Sequence, residues 1–222
     1  MNYLNKEIVI IGLGYVGLPL AVNLSNAFDV VGFDISLKRI NELKNFNDCT
    51  KEISFSKLKN AKRLKTSSQL KDINNKYIYI VTVPTPVNKN KLPDLSLLKK
   101  ACNLVGTAML PNSIIIFEST VYPGVTEKIC APILAKKSGF ELNKNFFIGY
   151  SPERINPGDK EHSVDKITKV VSGSNKETTK IIGKIYKTII KAGVFYAKSI
   201  EVAETAKAIE NAQRDINIAF IN

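Results

Sequence analysis

The sequence predicts a doubly wound α/β domain: a mostly parallel sheet with helices on both faces, which then runs into the start of a long central helix. Three observations carry this expectation. Apolar, β-branched runs alternate with helical patterns along most of the chain, the mark of βαβ units. The first run, Ile8-Val9-Ile10-Ile11, turns through Gly12-Leu13-Gly14-Tyr15-Val16-Gly17 into a helical pattern. A second short run, Val30-Val31-Gly32-Phe33, closes on Asp34.

Each part of that opening stretch has its own task in holding a dinucleotide. Gly12 permits the tight turn off the strand, Gly14 lets backbone approach a pyrophosphate, and Gly17 lets the helix pack closely on the strand. The free N–H groups at the helix start, with the helix dipole behind them, form an anion site. Asp34 stands where a carboxylate accepts hydrogen bonds from a ribose 2′-hydroxyl. A lone GxGxxG is weak evidence and fits a glycine-rich turn in some other α/β protein. Here the strand, the helix and the acid agree. The acid also favours NAD over NADP, because a 2′-phosphate would face the Asp34 carboxylate, although Lys38 or Arg39 would soften that repulsion.

The later elements follow in order. Ser36 is the expected N-cap of a helix to Phe46, with Leu37, Ile40 and Leu43 at helical spacing. Residues 47–69 are polar and lysine-rich, with a short helix expected at Phe55–Leu58 and a strand near Leu64–Thr66. Tyr77–Val83 reads as a buried strand that stops at Pro84-Thr85-Pro86, where proline removes ladder donors; that tripeptide is either a rigid turn or part of a site. Asp94 caps a helix through Ala108, and Pro111-Asn112 turns into the strand Ile114–Phe117. The segment Glu118–Gly124 leads into a helix that stops at Gly139. Phe146–Tyr150 is the next strand and opens into the proline- and charge-rich loop Ser151–Asp159. Val170–Gly173, a helix over 176–190 and the strand Val194–Tyr196 complete a first unit, residues 1–198. Ser199 caps the central helix, residues 199–222. Ligands bind outside the carboxyl ends of such strands, and the four unusual loops all fall there.

Composition is that of an ordinary globular chain, 44% hydrophobic and 23% charged over 222 residues. No apolar run approaches the roughly 20 residues of a membrane span. The first residues lack the apolar stretch of a signal peptide, so the cytoplasm is the expected location. A net charge of +12 raises the question of nucleic acid, but the lysines are scattered and no basic, aromatic-interleaved stripe appears. A positive field equally suits an anionic cofactor and an anionic substrate. Cys49, Cys102 and Cys130 show no spacing for a disulfide framework or a metal. Cys102 and Cys130 are expected in packing, and Cys49 lies in a polar stretch with no base beside it. His162, the sole histidine, is expected to face solvent.

Taken together, GLGYVGLP, VTVPTP, FESTVYPG, GYSPERINPGD and AETAKAIENAQRDINIAFIN resemble the UDP-glucose/GDP-mannose dehydrogenase family, and SPERINPGD resembles its UDP-N-acetylglucosamine/galactosamine 6-dehydrogenase branch. The likeness covers nearly the whole chain and implies a Rossmann-like NAD-binding domain. It implies oxidation of the C6 alcohol of a UDP-N-acetylhexosamine to a carboxylate with two NAD and no metal, for surface polysaccharide such as capsule. By the same likeness the Val16 backbone, Asp34 and Arg39 hold the adenosine half of NAD, beside Gly12, Gly14, Tyr15 and Gly17. Thr85 and Thr120 line the nicotinamide side. Glu153 is the general base of the hydrolytic step, and Lys207 and Asn211, four apart on one helical face, stabilise an oxyanion and position water. Arg154, Ile155 and Asn156 contact sugar. Pro157 stands where glucose- and mannose-type members carry a second glutamate. The family's cysteine nucleophile and UDP-binding domain lie beyond the central helix, so the 222 residues are expected to bind NAD without turnover. The central helix carries the family's dimer contact, and Val202, Ala206, Ile209, Ile216 and Phe220 form an apolar stripe suited to it. Two other readings stay open: a β-hydroxyacid dehydrogenase with a helical partner domain, and a non-catalytic NAD-binding module.

Overall fold

The computed structural model describes residues 1–153 and 167–222. Among these residues eight strands build one sheet. They are β1 (Ile8–Ile11), β2 (Val30–Phe33), β3 (Leu64–Ser67), β4 (Lys76–Val81), β5 (Met109–Phe117), β6 (Phe146–Tyr150), β7 (Lys169–Gly173) and β8 (Val194–Tyr196). The spatial order is β3-β2-β1-β4-β5-β6-β7-β8. Pairing is parallel from β3 through β6. It becomes antiparallel between β6 and β7, with Tyr150 opposite Ser172. β7 therefore begins at the edge where β6 ends, and Lys169 opens it among the carboxyl ends of the parallel strands.

Helices α1 (Gly17–Leu24), α2 (Leu37–Lys44), α3 (Phe55–Asn60), α4 (Ser96–Ala108), α5 (Ala131–Ser138), α6 (Lys176–Lys187) and α7 (Ile200–Ile221) cover the sheet. Successive strand residues point to opposite faces, and each face gathers its own core. Ile8, Ile10, Ile78, Ile80, Ile114 and Ile116 pack under α1, α2 and α6. Val9, Ile11, Tyr79, Val81, Ile115 and Phe117 pack under α4, α5 and the first half of α7. Burial of both faces explains why the strands read as near-continuous apolar runs.

The expected caps at Ser36 and Ser199 are present, whereas the N-cap of α4 is Leu95 and not Asp94. Ser36 accepts from the Arg39 N–H, Ser199 from the Val202 N–H, and Gly139 ends α5 in the left-handed region at φ 75°. Several boundaries differ from expectation for local reasons. β4 ends at Val81, because the Thr82 hydroxyl turns back to the Ile11 and Gly12 carbonyls. α2 runs only to Lys44 and α6 only to Lys187. α4 starts at Ser96, whose N–H bonds to the Asp94 carboxylate. β5 begins at Met109 and contains Pro111 and Asn112 as a register irregularity, with Asn112 at φ 68°. A π-helical turn, Thr126–Cys130, precedes α5. No described helix is long and apolar enough to cross a membrane.

Candidate cofactor site

The glycine turn leaves β1 through Gly12, whose φ of 96° suits a residue without a side chain. Gly17 begins α1 so close to the strand that an added methyl would stand 1.9 Å from the Gly12 carbonyl oxygen. Above Gly14, by contrast, a methyl would meet no atom within 4 Å. No side chain caps α1, but the Leu18 N–H is bonded to the Gly14 carbonyl at 3.1 Å and Pro19 has no N–H, so the N–H groups left for a ligand are those of the turn up to Gly17. Tyr15 and Val16 complete the turn, Tyr15 being exposed.

Asp34 follows β2 beside this cradle. Its carboxylate accepts from the Leu13 N–H at 2.9 Å and the Ser36 N–H at 2.9 Å. That fixes the group between the turn and α2 with lone pairs to spare, since a carboxylate has about four acceptor sites. Arg39 is buried rather than open to this space. Its Nε donates to the Leu13 carbonyl at 2.8 Å, its Nη2 to Asp48 at 2.7 Å and its Nη1 to the Cys49 sulfur at 3.2 Å. Three donors are thereby spent under the turn, leaving the guanidinium face as the part able to lie against a base. Asp48 was not legible as a partner, because residues 47–69 read only as a polar stretch. Cys49, expected in a polar stretch with no base beside it, does have a carboxylate neighbour: a hydrogen bond with Glu42 pushes its thiol up, beside Arg39. That is the wrong direction for a nucleophile. Cys102 and Cys130 are buried in packing as expected.

The loops after β4 and β5 are tied together. The Thr85 hydroxyl donates to the Thr120 carbonyl, and the Ser119 hydroxyl donates to the Val83 carbonyl at 2.6 Å. Glu204 of α7, fully buried, accepts from the Gly124 N–H at 2.6 Å and the Thr126 N–H at 2.9 Å. It thereby fixes the end of the loop that carries Thr120. Its signal in the sequence is its position: with Ile200, Ala203 and Lys207 it lies at helical spacing on the buried face of α7.

Glu153 follows β6. Lys169 donates to it at 3.0 Å, to Glu118 at 2.8 Å and to the Pro152 carbonyl at 3.4 Å. Glu118, the residue after β5, also accepts from the Tyr186 hydroxyl. Burial pushes the Glu118 carboxyl up. Burial pushes the Lys169 ammonium down, and the Glu118 and Glu153 carboxylates outweigh it, so that the ammonium titrates above its ordinary value. Two carboxylates around one buried cation hold its proton on, which accounts for the direction at Lys169, while at Glu118 burial outweighs the nearby cation. Glu118 and Lys169 were missed as site residues; a charged residue at the end of an apolar strand is their only local signal.

Lys207 is buried on the inner face of α7, although helical spacing alone suggested a solvated one. Asn211, one turn on, is half-buried and accepts from Arg214 at 2.7 Å. Arg154, Ile155, Asn156, Pro157 and His162 lie outside the described residues.

The open space over Gly14, the uncapped helix start and the fixed Asp34 carboxylate fit a dinucleotide of the NAD type. Comparison with known proteins agrees. The model of the UDP-glucose/GDP-mannose dehydrogenase family, NAD binding domain, matches residues 6–190. The chain is 51% identical over 219 residues to Protein CapL of Staphylococcus aureus, covering 99% of this chain and 51% of that protein. It is 52% identical over 216 residues to UDP-N-acetyl-D-glucosamine 6-dehydrogenase of Salmonella typhi, covering 97% and 51%. The solved structure of UDP-D-ManNAc dehydrogenase from Pyrococcus horikoshii superposes with a TM-score of 0.90 at 31% identity, over 96% of this chain and 52% of that one. The chain spans about half the length of the curated relatives it matches. It belongs to the UDP-glucose/GDP-mannose dehydrogenase family and comprises that family's NAD binding domain.

Proposed function

We propose that this chain is the cofactor-binding half of a dehydrogenase that oxidises C6 of a UDP-N-acetylhexosamine to the uronic acid, for a surface polysaccharide. The observation that carries the reading is the open cradle over Gly14 flanked by the Asp34 carboxylate. The substrate class rests on the likeness to the Salmonella typhi enzyme. When bound, NAD supplies the two-electron acceptor for the sugar carbon.

The residues divide the remaining work. The N–H groups of the glycine turn and of α1 neutralise pyrophosphate, and Asp34 accepts from ribose. Thr85 and Thr120, on loops tied to each other, hold the nicotinamide side. Glu153 acts as general base toward water, with Lys169 fixing the side chain in place. Lys207 and Asn211 supply donors to developing negative charge at the sugar carbon. Arg154, Ile155 and Asn156 contact the sugar. The assembly is a homodimer formed through α7.

Calorimetric titration of the chain with NAD tests the cofactor half, and saturable heat is expected. Incubation of the same chain with NAD and UDP-GlcNAc is expected to give no NADH. In a protein that joins this chain to the second half its relatives possess, UDP-N-acetylhexosamines are expected to exceed UDP-glucose in kcat/KM. The reverse order would remove the substrate assignment and leave the cofactor assignment intact.

A further inference from the structure

Asp48 stands fourteen positions beyond Asp34 and is buried to 8% exposure. Its carboxylate accepts from the Thr50 N–H at 3.1 Å, the Thr50 hydroxyl at 2.7 Å, the Glu52 N–H at 3.0 Å, the Ile53 N–H at 2.9 Å and Arg39 Nη2 at 2.7 Å. Arg39 is as buried, at 8%. Among the described residues its ion pairs are with Asp48 and, at 3.8 Å, with Glu42. Yet Arg39 lies in the first turn of α2, directly after the carboxylate that faces the ribose in the cofactor reading. Its Nε holds the carbonyl of Leu13, the residue whose N–H holds Asp34. A guanidinium at this place would, if turned outward, offer the planar fork that binds a phosphate.

We propose that Asp48 is a specificity-determining residue for the cofactor. By drawing the Arg39 charge beneath the glycine turn, it leaves the Asp34 carboxylate uncompensated toward the ribose 2′ position. A 2′-hydroxyl can donate to that carboxylate, whereas a 2′-phosphate meets like charge with no arginine to receive it. Selection against NADP thus takes two carboxylates: Asp34 repels, and Asp48 removes the residue that would cancel the repulsion. This rests on the reading that NAD lies across Gly12–Gly17 with its ribose at Asp34. The exposed Lys38 and Lys51 in the same stretch are common to every variant below, so their influence cancels when the NAD-to-NADP ratio of one variant is compared with that of another.

The experiment is calorimetric titration of the chain with NAD and with NADP. The unsubstituted chain is expected to prefer NAD. Asp48→Asn removes the charge that holds Arg39 and sets an amide NH2 against N–H donors of Glu52 and Ile53 or of Thr50 and Arg39, so part of the loop's bonding is lost with it; the preference for NAD is expected to shrink about tenfold or more. In Asp48→Asn with Arg39→Gln the original ratio is expected to return, since no guanidinium remains to reach a phosphate. An unchanged ratio in the single variant overturns the proposal, as does a lowered ratio that persists in the double variant. Circular dichroism establishes folding of each. If Asp48→Asn does not fold, Arg39→Gln alone decides: both affinities are expected to fall together, because the bonds lost, to Leu13, Asp48 and Cys49, all lie away from the ribose 2′ position. A selective loss of NADP binding would mean that Arg39 already reaches the 2′ position, contrary to the proposal. Absence of heat with either dinucleotide in the unsubstituted chain would remove the cofactor reading itself, and this proposal with it.

Discussion

A methyl group at Gly17 would stand 1.9 Å from the Gly12 carbonyl oxygen and 2.4 Å from the Thr82 hydroxyl, whereas one at Gly14 meets nothing within 4 Å. The two substitutions should therefore separate folding from binding. Gly17→Ala is expected to cost about 1–3 kcal/mol of stability, because helix and strand must move apart. Gly14→Ala is expected to leave the thermal midpoint unchanged and to weaken NAD by about tenfold or more, since the methyl fills space that the pyrophosphate approach requires. Thermal unfolding and calorimetry on both variants check this; equal loss of stability would refute the division of roles. The Lys169 cluster behaves differently, because its charges are buried against one another. Lys169→Met leaves the Glu118 and Glu153 carboxylates without their cation and is expected to destabilise by about 3–5 kcal/mol. Adding Glu118→Gln removes one of the two negative charges and is expected to recover part of that loss in chemical denaturation. No recovery would mean that the ammonium's hydrogen bonds, and not its charge, hold the cluster.

At the scale of elements, sequence pattern reported existence and order well and direction poorly. The central strands were visible as β-branched or apolar runs, because burial on both faces demands it; the edge strands β3 and β8, partly exposed, carried a weaker signal. The reversal at β7 was not visible, since Phe146–Tyr150 and Lys169–Gly173 are equally consistent with either direction. Connections set direction, and the pattern of a strand does not record its neighbour's heading. The site shows the same divide. The glycine turn was legible because each glycine answers a local requirement. Glu118, Lys169 and Glu204 were not, because the contacts that define them, Glu118–Lys169 and Glu204 with Gly124 and Thr126, span 51 to 80 residues of chain. Asp48 was missed for the opposite reason: its bonds to Thr50, Glu52 and Ile53 are local, but nothing in a polar stretch announced its burial. The loop it organises carries a pH dependence. Burial pushes its carboxyl up, and hydrogen bonds from Thr50, Ile53 and Arg39 outweigh burial, so it titrates below the ordinary range. A depressed native value means that its stabilisation is present above the unfolded carboxyl value of about 3.9 and is lost as pH falls through the native value. Unfolding midpoints of the chain are expected to drop below about pH 4 more steeply than those of Asp48→Asn. Parallel curves would show that Asp48 contributes no such linkage. Glu204 joins two elements. Glu204→Ala leaves the buried Gly124 and Thr126 N–H groups unsatisfied and is expected to cost about 2–4 kcal/mol. It should also loosen the loop that carries Thr120, which faster amide exchange across residues 119–126 would report.

For the molecule as a whole, α7 is an element with two faces and one of them covered. Ile200, Ala203, Glu204 and Lys207 pack inward. Val202, Ile209, Ile216 and Phe220 face outward, with exposure reaching 90% at Phe220. With Ala206 they follow alternating steps of four and three, interrupted only at Gln213, which is the spacing of a helix-to-helix seam rather than of a surface helix. A chain with net charge +12 resists casual association through self-repulsion. A seam that associates despite that repulsion must do so by burying this stripe, and raising salt should strengthen it. In sedimentation equilibrium the chain is therefore expected to associate reversibly, more tightly at high ionic strength. Ile216→Glu with Phe220→Glu is expected to sediment as a monomer. NAD affinity should be unchanged in that variant, because the stripe lies on the opposite side of α7 from Lys207 and shares no residue with the glycine turn. A chain that stays monomeric at every concentration reached, with or without salt, would show that the stripe does not join two copies. Loss of NAD binding in the monomeric variant would instead make association part of the cofactor site.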